Sequence, residues 1–506
     1  MVFSSHVFLF GFLPLTLLLY YISPRSVRNL TLTATSYIFY GWATPYFIFL
    51  IAWSTVVDYV CGNFIYGHWR VFGALTKGSN GEPRASTFQR KLFLTISLVS
   101  NIGMLGFFKY FTFAEVNLNA ILKVCGHDAF PLLLVTLPVG ISFYTFESIS
   151  YNVDIYLGRA RPAIVWVERL SKAEEPRGFL SQLFHELKAL NAFACYITQF
   201  PHLVAGPIIR YQDLEKQIHF RSHSVEKFGR GVFFFALGLA KKVLIANPMG
   251  DVADVAFEAN ALAWLDAWYG LFAYAFQIYF DFSGYSDMAI GLGLMVGFEF
   301  NKNFDSPYKS QSITEFWRRW HISLSTWLRD YLYIPLGGNR KGPLRTYCNL
   351  VLVMLLGGLW HGASWNFLVW GAIHGGWLCL ERLQGKTSFY ARIPALFRIV
   401  VTFLIVNLAW VFFRAADLAS SFHFLEALVG LQDPSPAELL LRPVLYSKFH
   451  LIWFILAAGI SFFGIQTWDL AKQISPLKAT AALLVLAWTF VAMSTQAFNP
   501  FLYFRF

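Results

Sequence analysis

Charge is what this chain has least of. Asp, Glu, Lys and Arg make up 14% of its 506 residues, against ~25% in ordinary globular proteins, while hydrophobic residues reach 56% and the mean hydropathy is +0.50. That composition excludes a soluble secreted domain and a disordered chain alike. Cysteine is scarce too: of five, Cys61, Cys195, Cys348 and Cys379 lie in or beside apolar runs and Cys125 in a polar connection. An odd number cannot all pair, so no disulfide framework is implied. His-Glu-x-x-His and CxxC spacings are absent, Gly284-Tyr285-Ser286 runs on to Asp287-Met288 instead of forming a GxSxG elbow, and Gly291-Leu292-Gly293 with Gly297 misses the dinucleotide pattern. We find no internal repeat and no matched pair of broken helices, which weighs against an inverted-repeat transporter. The stretches of low hydrophobicity are all loops, leaving one membrane domain, residues 1–506, as the economical reading.

Aromatic residues, by contrast, are abundant at 19%, with 53 Phe and 17 Trp. Belts at two bilayer surfaces need fewer, so many must pack between helices. Apolar segments recur at about 7–22, 29–41, 45–65, 92–112, 131–156, 231–249, 267–297, 347–362, 364–382, 397–414, 450–467 and 479–497. Several approach the ~20 residues of a membrane span. The fold class is therefore all-α and polytopic, with about twelve transmembrane or re-entrant helices.

Basic residues exceed acidic ones, 40 to 29, but they sit in short connections between apolar runs, which orients a membrane protein and does not track nucleic acid. The 66–91 connection carries Arg70, Lys77, Arg84, Arg90 and Lys91 against Glu82, and 158–192 carries Arg159, Arg161, Arg169, Lys172, Arg177 and Lys188; both should be cytoplasmic. By contrast 250–266 holds Asp251, Asp254, Glu258 and Asp266 without Lys or Arg, and 415–447 is mainly acidic. Those should face outward. The first run lacks a preceding positive charge and a cleavage site, and Arg25 and Arg28 follow it, so it reads as a retained helix with an external N-terminus.

From Trp317 to Tyr331 the pattern is helical. Trp317, Trp320, His321, Leu324, Trp327, Leu328 and Tyr331 share one face, and Arg318, Arg319, Ser325, Arg329 and Asp330 the other. An interfacial anchor in the headgroups accounts for most of this. It does not need His321, a titratable group on the apolar face. Downstream, Gly357-Gly358-Leu359-Trp360-His361-Gly362-Ala363-Ser364-Trp365-Asn366 puts a histidine at the end of an apolar run from 350, within the membrane profile. Intramembrane ionisable groups are functional candidates, and imidazole can take a proton from a hydroxyl near neutral pH; helix-packing glue is the competing account. Asp281 and Asp287, six apart in an apolar helix, either bind a cation, relay protons or pair with arginines of another segment. His202 lies in a re-entrant-looking segment, and a cap of that segment is the role expected of it.

Taken in order, Phe200-Pro201-His202-Leu203-Val204-Ala205-Gly206-Pro207-Ile208-Ile209-Arg210-Tyr211, Lys241-Lys242-Val243-Leu244-Ile245-Ala246-Asn247, Asp281-Phe282-Ser283-Gly284-Tyr285-Ser286-Asp287, Trp320-His321 and Trp360-His361-Gly362 resemble the membrane-bound O-acyltransferase family, most densely over about 195–382. The opening Met1-Val2-Phe3-Ser4-Ser5 and the length resemble its alginate O-acetyltransferase branch more than the shorter teichoic acid D-alanine exporters. The connection at 162–192, with Glu174-Glu175-Pro176-Arg177 and a helix expected at 178–189, is longer than the family pattern.

The resemblance implies helices around a tunnel or funnel, with an acyl thioester such as acetyl-CoA entering from the cytoplasm as co-substrate and no permanently bound cofactor or metal. It implies His361 as the active-site histidine and general base, with His321 at a second polar position handling the donor. Arg318, Arg319, Trp320, Trp360, Asn366, Asp281 and Asp287 are the positioning candidates. The acyl group would pass to an extracytoplasmic acyl-accepting protein, for O-acetylation of a polysaccharide such as alginate by a protein of the bacterial inner membrane. The rival classes are a proton-coupled transporter or channel, a scaffold subunit, and O-acylation of another envelope polymer: cellulose, peptidoglycan or teichoic acid.

Overall fold

Each of the twelve apolar segments carries a helix, and no strand occurs among the described residues. The computed structural model describes residues 1–42, 44–68, 85–171, 179–385, 389–434, 436–496 and 500–502. Arg70, Lys77, Glu82 and Arg84 of the first basic connection, and Lys172 with Glu174 to Arg177 of the second, lie outside them. Among the described residues six helices are long and apolar enough to cross a membrane: Phe47–Tyr66, Thr87–Val124, Val225–Glu258, Pro343–His361, Ala395–Arg414 and Pro476–Thr495. Their outer faces expose large apolar side chains such as Phe49, Val99, Phe397 and Leu484, as a surface solvated by lipid does. The chain divides into two compact units.

The first unit comprises residues 1–228 and 293–300. Its helices are α1 (Val7–Ile22), α2 (Arg28–Gly41), α3 (Phe47–Tyr66), α4 (Thr87–Val124), α5 (Ile141–Tyr156), α6 (Ala163–Ser171), α7 (Phe179–Thr198) and α8 (Tyr211–His219). Asp58 of α3 is fully buried, and neutral donors solvate it: Ser97 Oγ at 2.6 Å, Asn101 Nδ2 at 2.9 Å and Asn152 Nδ2 at 2.9 Å. A carboxyl group so surrounded ties α3, α4 and α5 together, with no counter-ion among the described residues. His202 is equally buried, its Nδ1 3.0 Å from Glu147 Oε1, while Ile209 N donates to the same oxygen at 3.3 Å. The Pro201–Pro207 segment is thus fastened to α5 at both ends.

Two expectations change here. The apolar run at 131–156 is helical only from Ile141, because Pro131 and Pro138 lack the N–H a helix needs and Gly140 sits at φ +79°. The helix expected at 178–189 runs on to Thr198, and its second half, from Ala192, is buried.

The second unit comprises residues 229–292 and 301–506. It contains α9 (Val225–Glu258, from residue 229 on), α10 (Trp264–Met295, to residue 292), α11 (Ile313–Arg319), α12 (Ile322–Leu328), α13 (Pro343–His361), α14 (Trp365–Gln384), α15 (Ala395–Arg414), α16 (Leu418–Leu428), α17 (Lys448–Phe463) and α18 (Pro476–Thr495). Helices α9 and α10 meet at glycines: a β-carbon on Gly238 would lie 2.6 Å from Gly284 O, and one on Gly284 2.7 Å from Gly238 O. Only glycine permits that approach. It brings the next turn of α9, Lys241 and Lys242, against Asp287 and Asp281. The two acidic connections also come together, with Leu262 N donating to Gln432 Oε1 at 2.9 Å and Arg442 Nε to Asp266 Oδ2 at 3.0 Å.

The single interfacial helix expected over 317–331 is two helices. It breaks at Trp320-His321, where His321 adopts φ +43°, a left-handed conformation uncommon outside glycine. Asn303 explains the break. Its backbone carbonyl accepts from Ile322 N at 2.9 Å and its Oδ1 from Ser323 N at 3.2 Å and Ser323 Oγ at 2.9 Å, which starts α12 afresh.

Candidate active site

His361 is the last residue of α13, a 19-residue helix that starts at Pro343, seven residues before the apolar run that marks it in the sequence. Helices α13 and α14 approach so closely that a β-carbon on Gly358 would collide with the Phe367 carbonyl, and one on Gly362 with the Phe367 ring. The glycines flanking Trp360-His361 are therefore required by the packing that fixes the histidine. Its ring meets those of Trp360 at 5.0 Å, Phe413 at 5.1 Å and Trp370 at 5.2 Å, and the residue is 4% exposed. Edge-on aromatic contacts of this kind hold a ring in one orientation.

A cavity of about 20 Å³ adjoins it, lined by Ile278, Asp281, Phe282, Trp320, His361, Trp410, Phe413, Phe501 and Leu502. That volume holds about one water molecule. The polar wall is Asp281, whose Oδ1 lies 2.7 Å from Lys242 Nζ and whose Oδ2 accepts from Leu502 N at 2.6 Å. Both members of this ion pair are almost wholly buried. Asp287 pairs with Lys241 at 2.6 Å. The arginine partners expected for these carboxylates are thus lysines of α9, set there by the Gly238–Gly284 crossing. Asp287 lines a separate small cavity with Lys241, Ser286 and Asn303.

His321 is fully buried and packs on Phe282 at 4.6 Å and on Trp360 at 6.1 Å, so the two histidines share Trp360 as a neighbour. Its Nδ1 lies 3.2 Å from Asn303 Oδ1. Since that oxygen already takes the Ser323 N–H and the Asn303 amide nitrogen donates to Ser286 Oγ at 2.9 Å, His321 must carry its hydrogen on Nδ1. Its Nε2 is then a lone-pair acceptor, buried and without a hydrogen-bond partner among the described residues.

The remaining candidates separate. Trp320 is buried and lines the His361 cavity. Arg319 is engaged within the fold, its Nη2 2.7 Å from Glu315 Oε1 and its Nη1 donating to Asp305 O at 3.1 Å. Arg318 is exposed on the same turn. Asn366 lies away from the cavity, donating to Ala415 O at 2.9 Å and Ser421 Oγ at 3.3 Å. Sequence reasoning missed three features. His374 is fully buried between Trp370 and Trp317, whose indole donates to its Nδ1 at 3.3 Å; its spacing from Trp370 on α14 was the available signal. Asn303, and Phe501 with Leu502, gave none.

A larger cavity of about 540 Å³ lies elsewhere in this unit, lined by Ser312, Thr314, Glu381, Arg382 and Arg398 among others. Its Glu381 carboxylate is spent on the start of α11, accepting from Thr314 N at 2.9 Å and Thr314 Oγ1 at 2.6 Å. Neither histidine faces it. The small cavity sets His361 and the buried Asp281 among apolar walls, whereas Glu315, Glu381, Arg382 and Arg398 suit the larger one to a polar ligand.

Comparison with known proteins shows the family. Residues 38–419 match the MBOAT, membrane-bound O-acyltransferase family. The chain is 42% identical over 539 aligned residues to the Azotobacter vinelandii protein named probable alginate O-acetylase AlgI, and 43% identical over 529 to its Pseudomonas putida namesake, each alignment covering 100% of both chains. It is 35% identical to the peptidoglycan O-acetyltransferase of Helicobacter pylori, over 100% of this chain and 98% of that one. With an all-helical membrane fold and a buried histidine closing a span, the chain belongs to the membrane-bound O-acyltransferase family and is an acyltransferase.

Proposed function

We propose that this acyltransferase moves an acetyl group from a cytoplasmic thioester, acetyl-CoA or a carrier-bound equivalent, across a bacterial inner membrane for O-acetylation of an extracellular polysaccharide, alginate first among them. The observation that carries the reading is His361: an imidazole at the end of a membrane helix, walled by aromatic rings and backed by the buried Asp281–Lys242 pair. In the reaction, a ring nitrogen of His361 takes the proton of the acceptor hydroxyl. The oxygen attacks the thioester carbonyl, and the tetrahedral intermediate expels the thiolate, which recovers the proton. Walls of Trp360, Trp370 and Phe413 exclude the water that would hydrolyse the thioester. The Nε2 lone pair of His321 accepts a hydrogen bond from the donor and aligns it.

Arg382 and Arg398, in the larger cavity, are suited to the phosphates of a CoA or phosphopantetheine donor. The immediate acceptor is an extracytoplasmic partner protein, through a side chain or a C-terminal peptide, and the N-terminus is external. Full-length similarity to proteins named for alginate favours that polymer, and the Helicobacter pylori relative makes peptidoglycan the second reading. Inactivating the gene in its own host and measuring ester-linked acetate decides between them. Loss from secreted polyuronate supports the proposal; loss from peptidoglycan with the polyuronate unchanged contradicts it.

A further inference from the structure

In the first unit, the end of α1 gathers cations around two tyrosines. Tyr20 OH donates to Val296 O at 2.7 Å and Tyr21 OH to Met295 O at 2.6 Å. The Tyr20 oxygen also takes the Nε–H of Arg221 at 2.8 Å and lies 2.9 Å from His223 Nε2. With its one hydrogen spent on Val296, the phenol can only accept from both neighbours, so His223 carries its hydrogen on Nε2. Gly297, at φ +91°, closes over this ring; a β-carbon there would stand 2.9 Å from Nε2.

The two arginines are held by neutral groups. Arg221 Nη1 donates to Asn29 Oδ1 at 2.6 Å and Ile218 O at 3.1 Å, and its guanidinium carbon lies 4.6 Å from the Phe298 ring centre. The guanidinium carbon of Arg28 lies 5.3 and 5.6 Å from the ring centres of Tyr20 and Tyr21, and its Nε donates to Ser23 O at 3.3 Å. Among the described residues neither makes an ion pair. The nearby Lys227 does, with Glu299 at 2.9 Å. Burial, with Arg28 and Arg221 beside it, pushes His223 down to about 4, so the ring is neutral and the arginines carry the local charge. Two half-buried guanidinium groups, stacked on rings of one site and lacking a counter-ion, are arranged for an anion from outside the chain.

We propose that Arg28 and Arg221 seat a phosphate group at the bilayer surface, the phosphodiester of an anionic phospholipid. Phosphate suits the planar fork of arginine, and among the described residues no carboxylate pairs with either guanidinium, Glu299 being taken by Lys227. A lipid source is favoured over a soluble phosphate by α1 itself. Leu15, Leu18, Leu19 and Ile22 are spaced along one face, are 43–70% exposed, and lead to the turn that carries Arg25 and Arg28. That face is a lane for acyl chains ending at the cations.

The test uses the full-length protein in dodecylmaltoside with dioleoylphosphatidylglycerol, dioleoylphosphatidylcholine or inorganic phosphate, and native mass spectrometry to count retained molecules. Arg28→Gln removes one guanidinium that touches only ring faces and one carbonyl, so the fold is kept even where Arg221→Gln disturbs the Tyr20 network. Arg25→Gln removes the same charge from an exposed side chain of the same turn. Phosphatidylglycerol should bind Arg28→Gln about fivefold more weakly than wild type, the factor one basic side chain contributes near an anionic surface, and Arg25→Gln nearly as well as wild type. Equal losses in both variants would reduce the effect to general charge and overturn the seat. Displacement of the lipid by inorganic phosphate at equal concentration would overturn the lipid source, and equal retention by all three proteins would overturn both.

Discussion

His321 donates its Nδ1 hydrogen to Asn303 Oδ1 across 3.2 Å, which leaves Nε2 as the acceptor on a ring that sits fully buried at φ +43°. The same amide oxygen starts α12 by accepting from Ser323. One asparagine thus sets the tautomer, the backbone conformation and the orientation of the second histidine. Such a position is paid for by its surroundings and is common at functional sites.

Replacing Asn303 tests this directly. Asn303→Leu should lower acyl transfer by about 10²-fold, the cost of a displaced group near the reacting atoms, whereas Asn303→Asp, which still accepts from Nδ1 and Ser323, should recover most of it. Initial rates on the two variants and wild type check the point. Equal rates in the leucine and aspartate variants would show that the hydrogen bond to His321 is irrelevant.

His361 packs on three aromatic rings, so truncation to alanine opens a void as well as removing a base; a loss of ~1–3 kcal/mol of stability is expected. His361→Gln fills more of the space. Its transfer rate should fall by ~10²–10⁴-fold, with a melting temperature close to wild type and donor binding kept. Activity above about a tenth of wild type would remove His361 from the general-base role.

The Asp281–Lys242 pair makes a sharper stability prediction. Lys242→Met strands a buried carboxylate and should cost about 3–5 kcal/mol, seen as a lowered unfolding temperature. Lys242→Met with Asp281→Leu removes both charges and should regain part of the loss. A double variant less stable than Lys242→Met would mean that the aspartate is held by Leu502 N and not by the lysine.

The adjacent arginines of α11 should behave differently. Arg319→Glu loses its bonds to Glu315 and Asp305 and sets two carboxylates together, so stability and every kinetic parameter should suffer. Arg318 is exposed, and Arg318→Glu should raise the apparent KM for the thioester with kcat kept. Identical profiles for both variants would reduce the pair to a membrane anchor.

Orientation is checked by single cysteines at Leu170, Glu258 and Asp433, all exposed. An impermeant thiol reagent applied to intact cells should label 258 and 433 and spare 170. The hydrogen bonds joining the two acidic connections require that 258 and 433 behave alike. Labelling at 170 from outside would invert the account, and with it the side from which the donor enters.

Much of the scaffold was legible because a bilayer span needs ~20 apolar residues, a condition that composition alone reveals. Where the scaffold departs, at residues 131–140, prolines outweigh hydrophobicity. The histidines stood out as ionisable groups among apolar residues. Their surroundings did not, because they are made by distant partners: Asn303 reaches His321 from a loop 18 residues upstream, and Leu502 meets Asp281 across 221 positions. The break at His321 was hidden for the same reason, since amphipathic period persists across a left-handed residue. That the partners of Asp281 and Asp287 are lysines follows from which turn of α9 the Gly238–Gly284 crossing sets opposite them.

His361, as general base, makes the protein transfer an acyl group from a thioester to an acceptor hydroxyl. Purified protein in liposomes, supplied with acetyl-CoA carrying label in the acetyl group, should release free CoA thiol and pass label to an acceptor in the presence of an extract of the envelope, and His361→Gln should do neither. A thioester left intact by the wild-type protein, or cleaved equally by the variant, would contradict the account.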